Sequence, residues 1–171
     1  VVAVIYLFLG SWRAALIPAV TVPVCVIGTF IALYAFGYSL NLLTLLALVL
    51  SVGLVVDDAI VVLENCQRRV DLGEPRLVAA YRGSRQVAFA VIATTAVLVS
   101  VFLPIGFLEG NLGRLFRELA IALATAVAIS AFVALTLSPM MCSKLLTPHV
   151  AETGLTVKVD ALFQRVSARY R

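Results

Sequence analysis

Charge is scarce in this sequence. Only 13% of its 171 residues are Asp, Glu, Lys or Arg, about half the share usual in a soluble domain. A soluble chain of this length must cover its surface with polar groups, and 63% of these residues are hydrophobic, with a mean hydropathy of +1.10. Soluble globular, fibrous and disordered classes are excluded. Cysteine is also sparse. Cys25, Cys66 and Cys142 stand in no CxxC or Cys/His pattern, which excludes a disulfide framework and gives no support for a metal site. No nucleophile–base pair, metal set or phosphate-binding loop is present, so a membrane enzyme is a poor reading. An initiator Met is missing too. The chain opens Val1-Val2-Ala3-Val4-Ile5 without a signal-peptide layout, and the expectation is an excerpt of a longer integral membrane protein.

What is present is long apolar sequence. Residues 14 to 56 are 43 consecutive positions without a charge. One span needs about 20 apolar residues, so this run holds two. Gly37-Tyr38-Ser39-Leu40-Asn41 marks the turn between them. The first span is expected from Ala15 to Phe36 and the second from near Leu42. Pro18 and Pro23 are assigned to the first turns of the first span, where a missing N–H is tolerated. Uncharged runs from Gln86 to Leu108 and from Leu119 to Ser143 supply two more, with Pro104 and Pro139 loosening their ends. Val1 to Leu9 reads as the end of a fifth helix. The expected fold is therefore all-α, a polytopic transmembrane helix bundle of four full spans plus the end of a fifth. A barrel would show alternating ten-residue segments instead.

The few charges are unevenly placed. Arg13, Arg68, Arg69, Arg76, Arg82, Arg85, Lys144, Lys158, Arg165, Arg169 and Arg171 fall on one side, eleven of the 13 cations. Arg114 and Arg117 fall on the other. The positive-inside rule puts the first side in the cytoplasm. The net charge of +4 and pI near 9.3 are thus topogenic, and nucleic acid is not an expected partner. The lipid bilayer is. On the outer side the connections are short, residues 37 to 41 and 109 to 118. Residues 64 to 85 form a charged inner connection, in which Gly73 ends one helix and Pro75 starts the next. Two regions are expected: 1–148, the transmembrane helices, and 149–171, a surface linker and amphipathic helix. In the latter Val159, Leu162, Phe163, Val166 and Tyr170 share a face that Lys158, Arg165 and Arg169 avoid.

Asp57 and Asp58 are the strongest chemical signal. Helical rise puts Asp57 roughly 22 Å from Leu42 and roughly 10 Å from Glu64, inside the bilayer. An intramembrane carboxylate costs a few kcal/mol and is kept where it faces a bundle interior and finds partners or protons. Burial and a like-charged neighbour both favour the protonated carboxyl, and so close a pair titrates as a unit. Asp57 and Asp58 are therefore the expected proton relay, with no catalytic, cofactor-binding or metal-binding residue beside them. The alternative is a static pair that fixes helix register. No Lys or Arg stands at their depth, so cationic partners must come from elsewhere. Thr44, Ala47, Ser51, Leu54 and Asp58 form a small, polar stripe suited to close packing. Gly53 lies one turn before Asp57, and Ala120, Ala124, Ala128 and Ala131 suggest another tight face. Glu64 reads as an interfacial cap, His149 as a surface residue, Trp12 and Tyr38 as interfacial anchors. Arg114, Arg117 and Glu118 read as a local charge cluster.

These residues resemble a known family. Gly53-Leu54-Val55-Val56-Asp57-Asp58-Ala59-Ile60-Val61-Val62-Leu63-Glu64-Asn65 is similar to the fourth transmembrane helix of resistance-nodulation-division (RND) efflux transporters. Phe102-Leu103-Pro104-Ile105 resembles the end of the fifth helix, and Leu135 to Cys142 the end of the sixth. Trp12-Arg13 and Leu16-Ile17-Pro18 resemble the turn from the second helix into the third. The paired acids point to the hydrophobe/amphiphile, multidrug branch. The resemblance implies a multi-pass protein of the bacterial inner membrane. It implies a homotrimer exchanging protons for drugs, with a periplasmic adaptor and an outer-membrane channel as partners. It implies a second half of the polypeptide, outside these residues, that supplies a Lys and an Arg to the paired acids. No cofactor is expected, since the proton motive force drives exchange. These residues alone are not expected to transport. Two other readings stand beside this one: a related proton-driven exporter of lipid or protein cargo, and a structural membrane module with static acids.

Overall fold

The computed structural model describes residues 11–147, the side chains of residues 111, 112, 114 and 115 excepted. Four long helices make up the bundle: α1 (Trp12–Ala35), α2 (Leu42–Asp71), α3 (Arg76–Phe102) and α4 (Gly110–Leu145), with a 3-10 segment, Leu103–Phe107, between the last two. No strand occurs among the described residues. All four are long and apolar enough to cross a membrane. The all-α transmembrane bundle expected from the uncharged runs is what forms. The partial helix at Val1 to Leu9, His149, the boundary at 148/149 and the amphipathic helix lie outside the described residues.

The helix ends follow local chemistry. Ser11 caps α1, its side chain accepting from the Ala14 N–H, so the helix starts three residues before the expected Ala15. Pro18 and Pro23 consequently sit in its interior and not in its first turns. Their missing donors leave the carbonyls of residues 14 and 19 without the usual helical bond. Asn41 caps α2 in a reciprocal box: its Oδ1 accepts from the Leu43 and Thr44 N–H groups, and Thr44 Oγ1 accepts from the Asn41 N–H. α1 and α2 both end on a left-handed glycine, Gly37 at φ 76° and Gly73 at φ 89°. In each the following N–H donates five residues back, Tyr38 to Leu33 and Glu74 to Arg69. This closure needs a residue free of a Cβ penalty. Pro75 then caps α3. At its far end α3 tightens to the 3-10 segment, with Pro104 in its first turn.

Two expectations at the ends need correction. Glu64 is not at the end of α2, which runs seven residues further, to Asp71. Charged residues beyond the bilayer are good helix formers, so leaving the membrane does not end a helix. Likewise α4 begins at Gly110, and most of the outer connection at 109 to 118 is helix.

α4 is the central element. Half of its apolar window is buried, against 6% for α3. Ala126, Ser130, Ala134, Ser138, Cys142 and Leu146 recur every four residues, all buried, and form its seam with the other helices. Of the four alanines expected to pack, Ala120 and Ala131 are buried, Ala124 is half-buried, and Ala128 is exposed. Of the four apolar clusters among the described residues, two hold the ends of the bundle. At the Arg-rich end Ile17, Leu63, Cys66, Val70, Ala79, Ala80 and Cys142 pack together. At the Arg-poor end Leu33, Ala47, Ala122 and Leu123 pack with Tyr38, Phe102 and Leu119. α2 and α3 approach closely where a Cβ on Gly83 would stand 2.9 Å from Cys66 Sγ and 3.0 Å from Cys66 Cα. Only glycine lets the two backbones come so near. Asn65 fastens the same level, its Nδ2 donating to the Gly83 carbonyl at 2.8 Å.

Candidate functional site

α2 has 30 residues, about 45 Å at helical rise, so it spans the hydrocarbon and projects beyond it. Asp57 and Asp58 fall at its middle. Adjacent helical residues are about 100° apart around the axis, and the two acids face different surroundings. Asp58 turns toward α4 and is half-buried. Its Oδ2 accepts from Ser130 Oγ at 3.2 Å. The same hydroxyl lies 3.2 Å from the Val55 carbonyl. Ser130 is fully buried. Asp57 lies on an exposed face with Gly53, and a Cβ added to Gly53 would meet nothing within 4 Å.

Ser130 has one proton and two acceptors in reach. A hydrogen bond to an ionised carboxylate is roughly twice as strong as one to a neutral carbonyl. With Asp58 ionised, the hydroxyl donates to Oδ2. With Asp58 protonated, its carboxyl can donate to Ser130 Oγ, and the hydroxyl proton turns to the Val55 carbonyl. Either way every polar atom in this contact keeps a partner, which a buried site requires. The arrangement suits a carboxyl that gains and loses a proton without disturbing the seam.

No counter-charge is at hand. Among the described residues Lys and Arg stand only at the ends of the bundle: Arg13, Arg68, Arg69, Arg76, Arg82, Arg85 and Lys144 at one, Arg114 and Arg117 at the other. The ion pairs among them join Glu74 to Arg69 at 2.7 Å and to Arg82 at 3.6 Å, at the α2–α3 turn. At the Arg-poor end Asn41 Nδ2 donates to Glu118 Oε2 and Arg117 Nε to the Gly106 carbonyl at 2.9 Å. Arg117 and Glu118 of the expected charge cluster thus make polar ties between helix ends, and the Arg114 side chain lies outside the described residues.

The AcrB/AcrD/AcrF family model matches residues 1–171, the whole chain. The chain belongs to that family, the RND-type multidrug efflux transporters. A protein of Yersinia enterocolitica named Multidrug resistance protein MdtC is 55% identical over 146 residues, 85% of this chain and 14% of that protein. One of the same name from Pectobacterium atrosepticum is 52% identical over 146 residues, again 85% and 14%. A Haemophilus influenzae protein named as an uncharacterized transporter is 48% identical over 170 residues, 99% of this chain and 16% of that protein. The chain thus spans about a seventh of the length of the curated relatives it matches.

In this AcrB/AcrD/AcrF-type chain, two residues stand out in the sequence and a third does not. Asp57 and Asp58 are conspicuous as charges in an apolar run. Ser130 is not, because serine blends into the small residues of α4 and its partner is 72 positions away. The one available signal is the four-residue recurrence of small residues through Ser130, which marks it as facing the seam. The stripe on α2 is packed as expected at Thr44, Ala47 and Ser51, while Leu54 is half-buried. Glu64 is exposed on the same side of α2 as Asp57.

Proposed function

We propose that these residues are the proton-carrying part of an RND-type multidrug/proton antiporter of the bacterial inner membrane, with Asp57 and Asp58 as the proton relay. The observation that carries this reading is the mid-span carboxylate pair with two environments. Asp58 is held by a hydroxyl that can serve either protonation state, and Asp57 is open to whatever packs on the Gly53 face. The Arg-rich end is the cytoplasmic one by the positive-inside rule.

Protons enter the pair from the periplasmic side and leave to the cytoplasm. A potential of about 100 mV supplies about 2.3 kcal/mol per charge, and each pH unit about 1.4 kcal/mol more. Protonation removes charge from the Asp57 face. It weakens the attraction to cations contributed by further parts of the transporter, and that change in attraction moves the helices. Ser130 acts as a positioning residue that keeps Asp58 satisfied through both states. Drug cargo, a homotrimer, a periplasmic adaptor and an outer-membrane channel belong to this reading through the family and the names of the MdtC relatives. The 171 residues need the remaining length of such a transporter to work.

The test is transport by the full-length protein carrying Asp57→Asn or Asp58→Asn. Each variant is expected to assemble at normal levels in the membrane and to lose drug efflux. Export at the unmodified rate by either variant would overturn the proposal.

A further inference from the structure

A groove at the Arg-poor end remains unused by this reading. It has a volume of about 490 Å³ and lies between the end of α1, the 3-10 segment and the start of α4. Phe36, Phe102, Leu103, Phe107 and Ile121 line it, with Arg117 as its one charged residue. That volume is within the range of small-molecule and lipid-chain sites. The groove opens on the apolar outer surface of the bundle: Phe107 is 74% exposed and Leu103 51%.

Arg117 makes the groove more than an apolar face. It is exposed, and its Nε is anchored on the Gly106 carbonyl at 2.9 Å. Among the described residues its terminal amino groups have no carboxylate within ion-pair distance. Glu118, the next residue, is turned to Asn41, and Glu109 is exposed at the start of α4. An anchored guanidinium with two free amino groups presents the planar fork that binds phosphate oxygens in pairs. A cation about two turns into α4, at the edge of its apolar run, also belongs at headgroup level, with apolar sequence below it. A cationic fork above an apolar slot is the chemistry of one ligand class, and the slot opens on the exposed apolar surface of the bundle.

We propose that this groove binds a phospholipid of the leaflet at the Arg-poor end, with one acyl chain between the 3-10 segment and α4 and its phosphate on Arg117. The inference does not depend on the proton relay. A resident lipid there fills the space between the end of α1, the 3-10 segment and the start of α4 and ties the α3–α4 turn to the membrane.

The test uses the full-length transporter with photoreactive benzoylphenylalanine at position 121, irradiated in vesicles containing phosphatidylglycerol, and mass spectrometry of the adduct. A phosphatidylglycerol adduct is expected, reduced at least fivefold by Arg117→Gln and unaffected by added inorganic phosphate. The same probe at Val97, 62% exposed on α3 and outside the groove, is expected to give the same labelling with and without that substitution. A peptide adduct at 121 would mean that another protein segment fills the groove, and would overturn the proposal. So would labelling that ignores Arg117→Gln, loss of labelling to added phosphate, or no adduct. If Arg117→Gln fails to assemble, Arg117→Lys decides: it keeps the charge and loses the fork, and undiminished labelling would contradict the bidentate contact.

Discussion

Ser130 of α4 holds Asp58 of α2 by a 3.2 Å hydrogen bond across the buried seam of the bundle. It is the one side-chain bond that ties the carboxylate pair to another helix among the described residues. Its removal has a clear expectation. Ser130→Ala leaves Asp58 without its donor, and a hydrogen bond to a charged group is worth about 1.5–3 kcal/mol. Drug efflux in everted vesicles is expected to fall by about tenfold or more, with assembly intact. Ser130→Thr, which keeps the hydroxyl, is expected to retain most of the activity. Equal loss in both variants would make the role one of packing volume alone.

The α2–α3 contact predicts a second outcome. Gly83→Ala places a methyl 2.9 Å from Cys66 Sγ and 3.0 Å from Cys66 Cα. Overpacking of this kind costs typically 1–3 kcal/mol. Thermal denaturation of the purified full-length protein is expected to show a lower midpoint. Adding Cys66→Ala relieves the sulfur contact and not the backbone one, so rescue is expected to be partial. A midpoint unchanged in Gly83→Ala would show that the helices separate at little cost.

Asn41 has two roles that substitutions can separate. It caps α2 through the Leu43 and Thr44 N–H groups and donates to Glu118. Asn41→Ser keeps a cap and loses the second contact. Asn41→Asp keeps the cap and sets a carboxylate against Glu118. Asn41→Ala loses both, at a cost of about 1–2 kcal/mol for the cap alone. The expected order of thermal midpoints has the wild type first and Ser second, with Asp and Ala below it. Asp as stable as the wild type would mean that the Glu118 contact contributes nothing.

The sequence and the structure agree where the bilayer imposes the rule. A span must be about 20 apolar residues long, so the uncharged runs mark the four helices, and charges inside such a run expose Asp57 and Asp58. Agreement fails where the deciding interaction is local or distant. Ser11 extends α1 by a turn because its side chain reaches the Ala14 N–H, and that shift moves Pro18 and Pro23 into the helix interior. Glu64 looked terminal because charge follows it, yet Asn65, Gln67 and Arg69 continue the helix and bond to α3 and beyond. On the alanine-rich face of α4 Ala120 and Ala131 pack as expected while Ala128 is exposed, since alanine is as tolerable toward lipid as toward a neighbouring helix. Ser130 was hidden because its importance lies wholly in a residue of another helix.

The central claim is that the Asp57–Asp58 pair exchanges protons within the membrane, and infrared difference spectroscopy tests it most directly. Spectra of the full-length protein between about pH 5 and about pH 8 cover the range in which a working carboxyl relay must titrate. The account predicts a carboxyl C=O band that rises on acidification, is missing in Asp58→Asn, and is altered in Ser130→Ala. Identical spectra for the wild type and Asp58→Asn across that range would contradict it and leave the two acids as static groups.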